Sequence, residues 1–126
     1  MSYEPRYERF EALAANGSLL RVEFLKSGFL ALGDQPELFF FRLARGDAQE
    51  AEAAQQAIVA ISGDALRRFE RARPRRFSRE EKIDIAGLWL KRQMEAGAPL
   101  DSAHLLVGAD ELTQLSHDLG FESFAK

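Results

Sequence analysis

The amino-acid sequence predicts an α+β domain: a small antiparallel sheet of three to four strands, covered by an N-terminal helix and three C-terminal helices. Several early segments alternate apolar and polar residues, as half-buried strands do, whereas later segments repeat apolar residues every three or four positions, as helices do. Strand-rich and helix-rich stretches that follow one another are typical of this class. The chain has 126 residues and no low-complexity linker, so a single domain over 1–126 is expected.

The first predicted element is a helix over residues 4–15. Four apolar residues recur at helical spacing there: Tyr3, Tyr7, Phe10 and Leu13. Such a stripe forms the buried face of an amphipathic helix. Pro5 suits a first helical turn, and Asn16 followed by Gly17 is a stop signal.

Three strands are predicted next. Residues 20–24 alternate in polarity, residues 26–28 resemble a turn, and residues 29–32 form a returning strand. Residues 38–43 contain three consecutive phenylalanines, which would point to both faces of a strand, so both faces are expected to be covered. An alternative for this stretch is a helix, because residues 34–37 resemble a helix cap; the strand is favoured.

Residues 48–61 allow two interpretations. One is a single helix, since the first part is rich in Ala, Glu and Gln. The other is a loop or short helix followed by a strand at 57–61, where β-branched residues are concentrated. We favour the second.

Two helices follow. The first is predicted over 65–73, ending before Pro74. The second begins with a capping box formed by Ser78 and Glu81 and stops at Gly97. It carries the longest apolar stripe of the chain and is expected to be the central core helix. Gly87 lies inside this helix, and we interpret it as a point of close approach to another element.

A third helix is predicted over 110–119, with Gly120 as its C-terminal cap, after a candidate edge strand at 105–107. Residues 110–124 resemble the first helix and turn of an AraC-type helix-turn-helix module. That resemblance implies DNA binding. Residues 93–126 nevertheless contain one basic and six acidic residues, so we do not expect this segment to read DNA.

A run of arginines is the clearest functional signal. Residues 67–82 contain eight basic and three acidic residues, a charge of +5, in a chain whose net charge is −3. The remaining residues therefore carry −8. We predict that partner binding uses six arginines of this run: Arg67, Arg68, Arg71, Arg75, Arg76 and Arg79. Arginine suits the role because its planar guanidinium pairs with carboxylates and phosphates in a bidentate manner.

Three interpretations of the run stay open. The arginines could be neutralised by carboxylates of the same molecule, bind a protein partner with an acidic surface, or bind nucleic acid or another polyphosphate. The sequence pI of about 5.4 disfavours duplex binding, which is typical of domains with a pI above about 9. We predict a non-catalytic binding or regulatory module with an acidic protein partner. If the small sheet left one of its three consecutive phenylalanines exposed, we would expect a homodimer through that sheet or an edge strand; the alternative is that helices cover both faces.

Enzyme classes find little support. The chain has no cysteine, which excludes disulfides, thiolate metal sites and cysteine nucleophiles. Nucleophile elbows and glycine-rich phosphate loops are absent. His104 and His117 lack ligand spacing, so no metal or cofactor is predicted; a cleft that joined either histidine to carboxylates would indicate an enzyme. Without a signal peptide or a membrane-spanning apolar run, a cytoplasmic, non-membrane location is expected.

Overall fold

A computed structural model describes residues 4–31, 33–45, 55–72, 76–101 and 103–121. The chain belongs to the α+β class, as predicted, with three helices and a five-stranded mixed sheet in these ranges. In chain order the elements are β1 Arg9–Leu13, β2 Leu19–Phe29, β3 Glu37–Arg45, β4 Gln55–Ile61, α1 Gly63–Arg71, α2 Arg79–Ala96, β5 Leu106–Val107 and α3 Ala109–Leu119.

The strands lie side by side in chain order, from β1 at one edge to β5 at the other. The first four are antiparallel, and β5 pairs with β4 in parallel. The predicted sheet of three to four antiparallel strands is therefore too small. A parallel neighbour needs a long crossover connection, and α1 and α2 provide it.

The predicted helix over 4–15 is wrong, because residues 9–13 of this segment form β1 and no helix is present in residues 4–15. Phe10 pairs with Val22 and Ala12 with Leu20, so β1 completes the sheet beside β2. The spacing of Tyr7 and Phe10 fits a helix, but sheet pairing provides backbone partners for β2 that a helix would leave unmet. Tyr3 lies outside the described residues.

The predicted turn at 26–28 and returning strand at 29–32 are also wrong. β2 continues to Phe29 and contains a bulge, so Phe24 pairs with Phe41 and Lys26 pairs with Phe40. The extra residue, Leu25, reverses which positions face the core, and this reversal is what disturbs the period-two pattern. The chain turns later, where Gly33 and Gln35 have φ of 59° and 58°.

β3 confirms the favoured strand over the alternative helix. Phe39 and Phe41 are fully buried in a core shared with all three helices. We call this side of the sheet the helix face and the opposite side the outer face. On the outer face Phe40 is half-buried, and the Lys26 ammonium lies 5.2 Å from its ring centre. The expectation that both faces are covered is therefore met only in part, because a lysine side chain lies over Phe40 while Ile58, on the same face, is 38% exposed.

Several other predictions agree with the structure, whereas the segment predicted to precede the strand at 57–61 lies largely outside the described residues. Residues 57–61 belong to β4, and β5 occupies the predicted edge. The capping box of α2 forms both of its hydrogen bonds between Ser78 and Glu81, at 3.1 and 2.9 Å. Gly97 and Gly120 end α2 and α3 in the left-handed conformation, with φ of 75° and 80°. Pro74, the predicted end of α1, lies outside the described residues; α1 ends at Arg71.

The central helix closely approaches the segment just before β1 at one point, as its internal glycine predicted. A Cβ on Gly87 would lie 2.5 Å from the Tyr7 Cβ and 2.7 Å from the Tyr7 carbonyl oxygen. The Tyr7 backbone N–H donates to the buried carboxylate of Asp84 at 2.7 Å. These contacts hold the segment before β1 against α2 and thereby place β1 at the sheet edge.

Candidate partner-binding site

The arginine run is divided between α1, the connection that follows it, and the start of α2. Arg67 is engaged within its own helix, because its guanidinium lies 2.6 Å from the Asp64 carboxylate. The same side chain donates to the Asp34 carbonyl oxygen at 3.4 Å. This arginine therefore helps to hold the N-terminal half of α1 against the loop before β3.

The basic residues at the start of α2 are directed toward the sheet. The Arg79 guanidinium lies 5.2 Å from the ring centre of Phe24, a cation–π geometry. The Lys82 ammonium lies 2.7 Å from the Glu37 carboxylate, and both side chains are largely buried. Lys82 joins α2 to β3, and its charge is not available to an outside ligand.

Arg68 and Arg71 differ from these residues. Both are exposed, and within the described ranges no carboxylate lies at ion-pair distance from either. They are three residues apart on α1, so they project from the same side of the helix. Arg76 is also exposed, but unlike Arg68 and Arg71 it interacts with another group of the protein. Arg75 lies outside the described residues.

A shallow cavity of about 250 Å³ lies beside Arg68, between α1 and α3. Its lining is mostly apolar: Ala65, Arg68, Phe69, Ala72, Ala109 and Thr113. We call this cavity together with Arg68 and Arg71 the α1–α3 surface. Sequence analysis did not find it, because its two walls are far apart in the chain and meet only when α3 packs against α1.

The aromatic residues of the run serve the core. The rings of Phe69 and Phe77 are stacked, with centres 5.2 Å apart and an interplanar angle of 21°. Phe77 also meets Phe121 edge-on at 6.2 Å, and its backbone N–H donates to the Glu70 carboxylate at 2.9 Å. Phe77 is buried and therefore offers no open platform on which a nucleic-acid base could stack, and it covers one face of the Phe69 ring.

The loop before β3 fixes the N-terminus of α1. The Asp34 carboxylate accepts hydrogen bonds from the Ser62 hydroxyl at 2.6 Å and from the Asp64 backbone N–H at 3.3 Å. The pKa of Asp34 lies below its ordinary value of 3.8, mainly because of the hydrogen bond from Ser62. The Asp64 N–H and the nearby positive charge of Arg67 lower this pKa further. These contacts set the direction in which α1 presents its arginines.

Both histidines lie at the surface of the described part of the chain. The His104 ring lies 2.8 Å from the Asp101 carboxylate in an exposed i, i+3 pair. Hydrogen bonds from the His104 side chain and backbone lower the pKa of Asp101. His117 is exposed on α3. Nowhere in the described ranges do three His, Asp or Glu side chains gather as a metal centre would require.

A larger cavity, of about 480 Å³, lies over β1, β2 and β3. Its lining contains three arginines and two glutamates: Arg9, Phe10, Glu11, Arg21, Val22, Glu23 and Arg42. Arg9 and Glu23 are 3.5 Å apart, although the Arg9 side chain remains 80% exposed. Arginine and glutamate lie opposite one another on neighbouring strands, at Arg9 and Glu23 and at Glu11 and Arg21. We therefore interpret the charged lining of this cavity as cross-strand pairing.

Comparisons with protein-family models, with curated proteins and with solved structures find no match to this chain. No helix in the described ranges combines the length and apolar character needed to cross a bilayer.

Proposed function

We propose that the protein is a non-catalytic binding module that recognises an acidic protein partner through the α1–α3 surface. The observation that supports this proposal is the pair of exposed arginines, Arg68 and Arg71, without carboxylate partners in the described ranges. Their charge remains available although the chain as a whole is acidic, at −3. The proposed centre is accordingly smaller than the predicted six-arginine site.

The neighbouring cavity supports a protein partner over a nucleic acid. Four of its six lining residues are alanine or phenylalanine, so the arginines border an apolar depression. Protein interfaces commonly combine an apolar centre with arginine, and arginine is enriched among the residues that dominate binding energy. Nucleic-acid sites favour continuous positive charge with exposed aromatic rings. Of the two aromatic residues in the run, Phe77 is buried and Phe69 has one face covered by Phe77.

The proposal can be tested by fluorescence anisotropy with three labelled probes of equal charge. Two are peptides, one with Glu and Leu at helical spacing and one with Glu and Ser; the third is single-stranded DNA. The Glu–Leu peptide should bind most tightly, since it alone offers both carboxylates and apolar side chains. Binding of the DNA should be weaker and should fall more steeply as salt is raised.

Paired variants locate the contact. Arg68→Glu with Arg71→Glu should abolish peptide binding, whereas Arg9→Glu with Arg21→Glu, which makes the same change in net charge on the sheet, should retain it. Equal binding by the two variants would reject the α1–α3 surface. Tighter binding of DNA than of either peptide would instead favour the polyphosphate function. Capture from native lysate by the wild type and the sheet variant, but not by the α1 variant, would then identify the partner.

A further inference from the structure

One side of β2 is open along its second half. β1 pairs with residues 19–23 of β2, and the Phe24 N–H donates to the Glu8 carbonyl oxygen at 2.8 Å. From Lys26 to Phe29, β2 is paired with β3 on one side only, and no described strand lies on the other. Backbone groups on an open strand edge form a template for another strand.

The direction of the backbone groups follows from one hydrogen bond. The Leu30 N–H donates to the Pro36 carbonyl oxygen at 3.0 Å, so it points toward the β3 side. Successive residues of an antiparallel strand direct their backbone groups to opposite sides. Ser27 and Phe29 therefore direct their N–H and C=O groups to the open edge. The backbone N–H of Phe24 is directed to that same side, because it donates to Glu8. The bulge at Leu25 explains why Phe24 and Ser27, three residues apart, direct their backbone groups to the same side.

Apolar side chains gather at this edge. Phe29 is 72% exposed, Leu25 45% and Leu30 41%. The edge also carries protection, because a bulge and a lysine commonly discourage strand pairing. The bulge is at Leu25 and the lysine is Lys26, whose ammonium group lies over the Phe40 ring. Residues 27–29 retain no such protection.

We propose that a second copy of this chain pairs with the open edge of β2, antiparallel, about a two-fold axis through Gly28. In this register Ser27 of each copy lies opposite Phe29 of the other, and the two pairs exchange four hydrogen bonds. On the two-fold axis, Gly28 of one copy lies opposite Gly28 of the other. A Cβ there would meet nothing within 4 Å in the single chain, so the approach is unobstructed.

The side chains in this register are compatible. Ser27 and Phe29 lie on the helix face, since they pair with Phe39 and Glu37. The two Phe29 rings become diagonal neighbours, within reach of each other across the new strand pair. On the outer face Lys26 lies opposite Leu30 of the second copy, so no like charges oppose one another. A second copy thus covers apolar surface that the single chain leaves in water.

The experiment is sedimentation velocity over a wide concentration range, combined with amide hydrogen exchange. The wild type should associate into dimers as concentration rises, and the amides of Ser27 and Phe29 should become protected in parallel. A monomer at every concentration, with these two amides exchanging rapidly, would overturn the proposal.

Substitutions distinguish this edge from other surfaces. Ser27→Pro removes an N–H that points to the open side, which leaves the β2–β3 hydrogen bonds in place, and should yield monomers. Phe29→Lys should do the same and remains decisive if the proline variant fails to fold. Ile58→Lys, on the outer face, should still dimerise; a dimer lost there but kept in both edge variants would contradict the proposal. The α1 double variant should also dimerise, so the two proposals fail independently.

Discussion

α1 and α2 are consecutive helices that share one basic stretch of sequence, yet they use their charges differently. α2 is buried along most of its length, and three charged residues of its first half make contacts within the structure: Glu81 in the capping box, Lys82 with Glu37, and Asp84 with the Tyr7 backbone. α1 buries only Gly63, Ala65 and Leu66. Position relative to the sheet decides which basic residues are structural and which remain available for binding.

The two helices also share a method of attachment, namely close backbone approach at a glycine. In α1 a Cβ on Gly63 would collide with the carbonyl oxygen of Asp34 and lie 2.9 Å from that of Gln35. In α2 a Cβ on Gly87 would meet Tyr7. The two sites differ in the atoms that would have to move to admit a Cβ. Two backbone carbonyl groups surround Gly63, whereas a single residue, Tyr7, lies closest to Gly87.

The largest expected effect therefore comes from Gly63→Ala, which should destabilise the fold by about 3 kcal/mol or more. Gly87→Ala should cost less, about 1–3 kcal/mol, because better helix propensity offsets part of the strain. Urea denaturation in dilute solution measures both. Gly28→Ala, where the added Cβ meets open space, serves as the control and should change stability by less than about 0.5 kcal/mol. A stable Gly63→Ala protein would contradict the tight docking of α1.

The buried pair between α2 and β3 provides the next effect. Lys82→Met leaves the Glu37 carboxylate without its partner and should cost about 2–3 kcal/mol, less than in a fully enclosed pair, because both side chains keep some water contact.

The control on the same helix is Lys91→Met, which breaks the more exposed pair with Glu95 and should cost less than about 1 kcal/mol. Adding Glu37→Gln to Lys82→Met should recover part of the loss in a double-mutant cycle. Strictly additive effects would mean that Lys82 and Glu37 do not interact.

A pH dependence should reveal how much Asp34 contributes to the attachment of α1. The pKa of Asp34 in the folded protein lies below its ordinary value of 3.8, so its carboxylate stabilises the fold above that value. This contribution is lost as pH falls through the lower folded-state pKa. Asp34→Asn should therefore reduce the loss of stability at acid pH.

The cause of that shift can be tested separately. Ser62→Ala removes the hydrogen bond that lowers the pKa of Asp34 most. Carboxyl-carbon NMR titration should then show a higher pKa for Asp34 than in the wild type. An unchanged titration would show that the Ser62 contact does not set it.

The smallest expected effect is on the stability of the proposed binding surface. Arg68→Glu with Arg71→Glu should alter the free energy of unfolding by no more than about 0.5 kcal/mol, as is usual for surface positions without structural contacts. Thermal and urea denaturation measure it. A larger loss would show that these arginines support the fold as Lys82 does, and would end the contrast between the two helices.

Local sequence determined the elements whose limits depend on neighbouring residues. The capping box at Ser78 and the left-handed glycines at 97 and 120 set helix ends through hydrogen bonds within a few positions, and the β-branched residues of 57–61 marked β4. These signals act over short distances, so they can be read without knowledge of the rest of the chain.

Tertiary structure decided the rest. Residues 9–13 became a strand because β2 lay beside them, and the break in the pattern near Leu25 became a bulge because β3 continued past it. The arginine run was divided in the same way: Lys82 met Glu37, while Arg68 and Arg71 met water. Residues far apart in the chain determine which strands pair and which side chains are buried. Composition alone therefore does not show which charged residues will form ion pairs within the molecule.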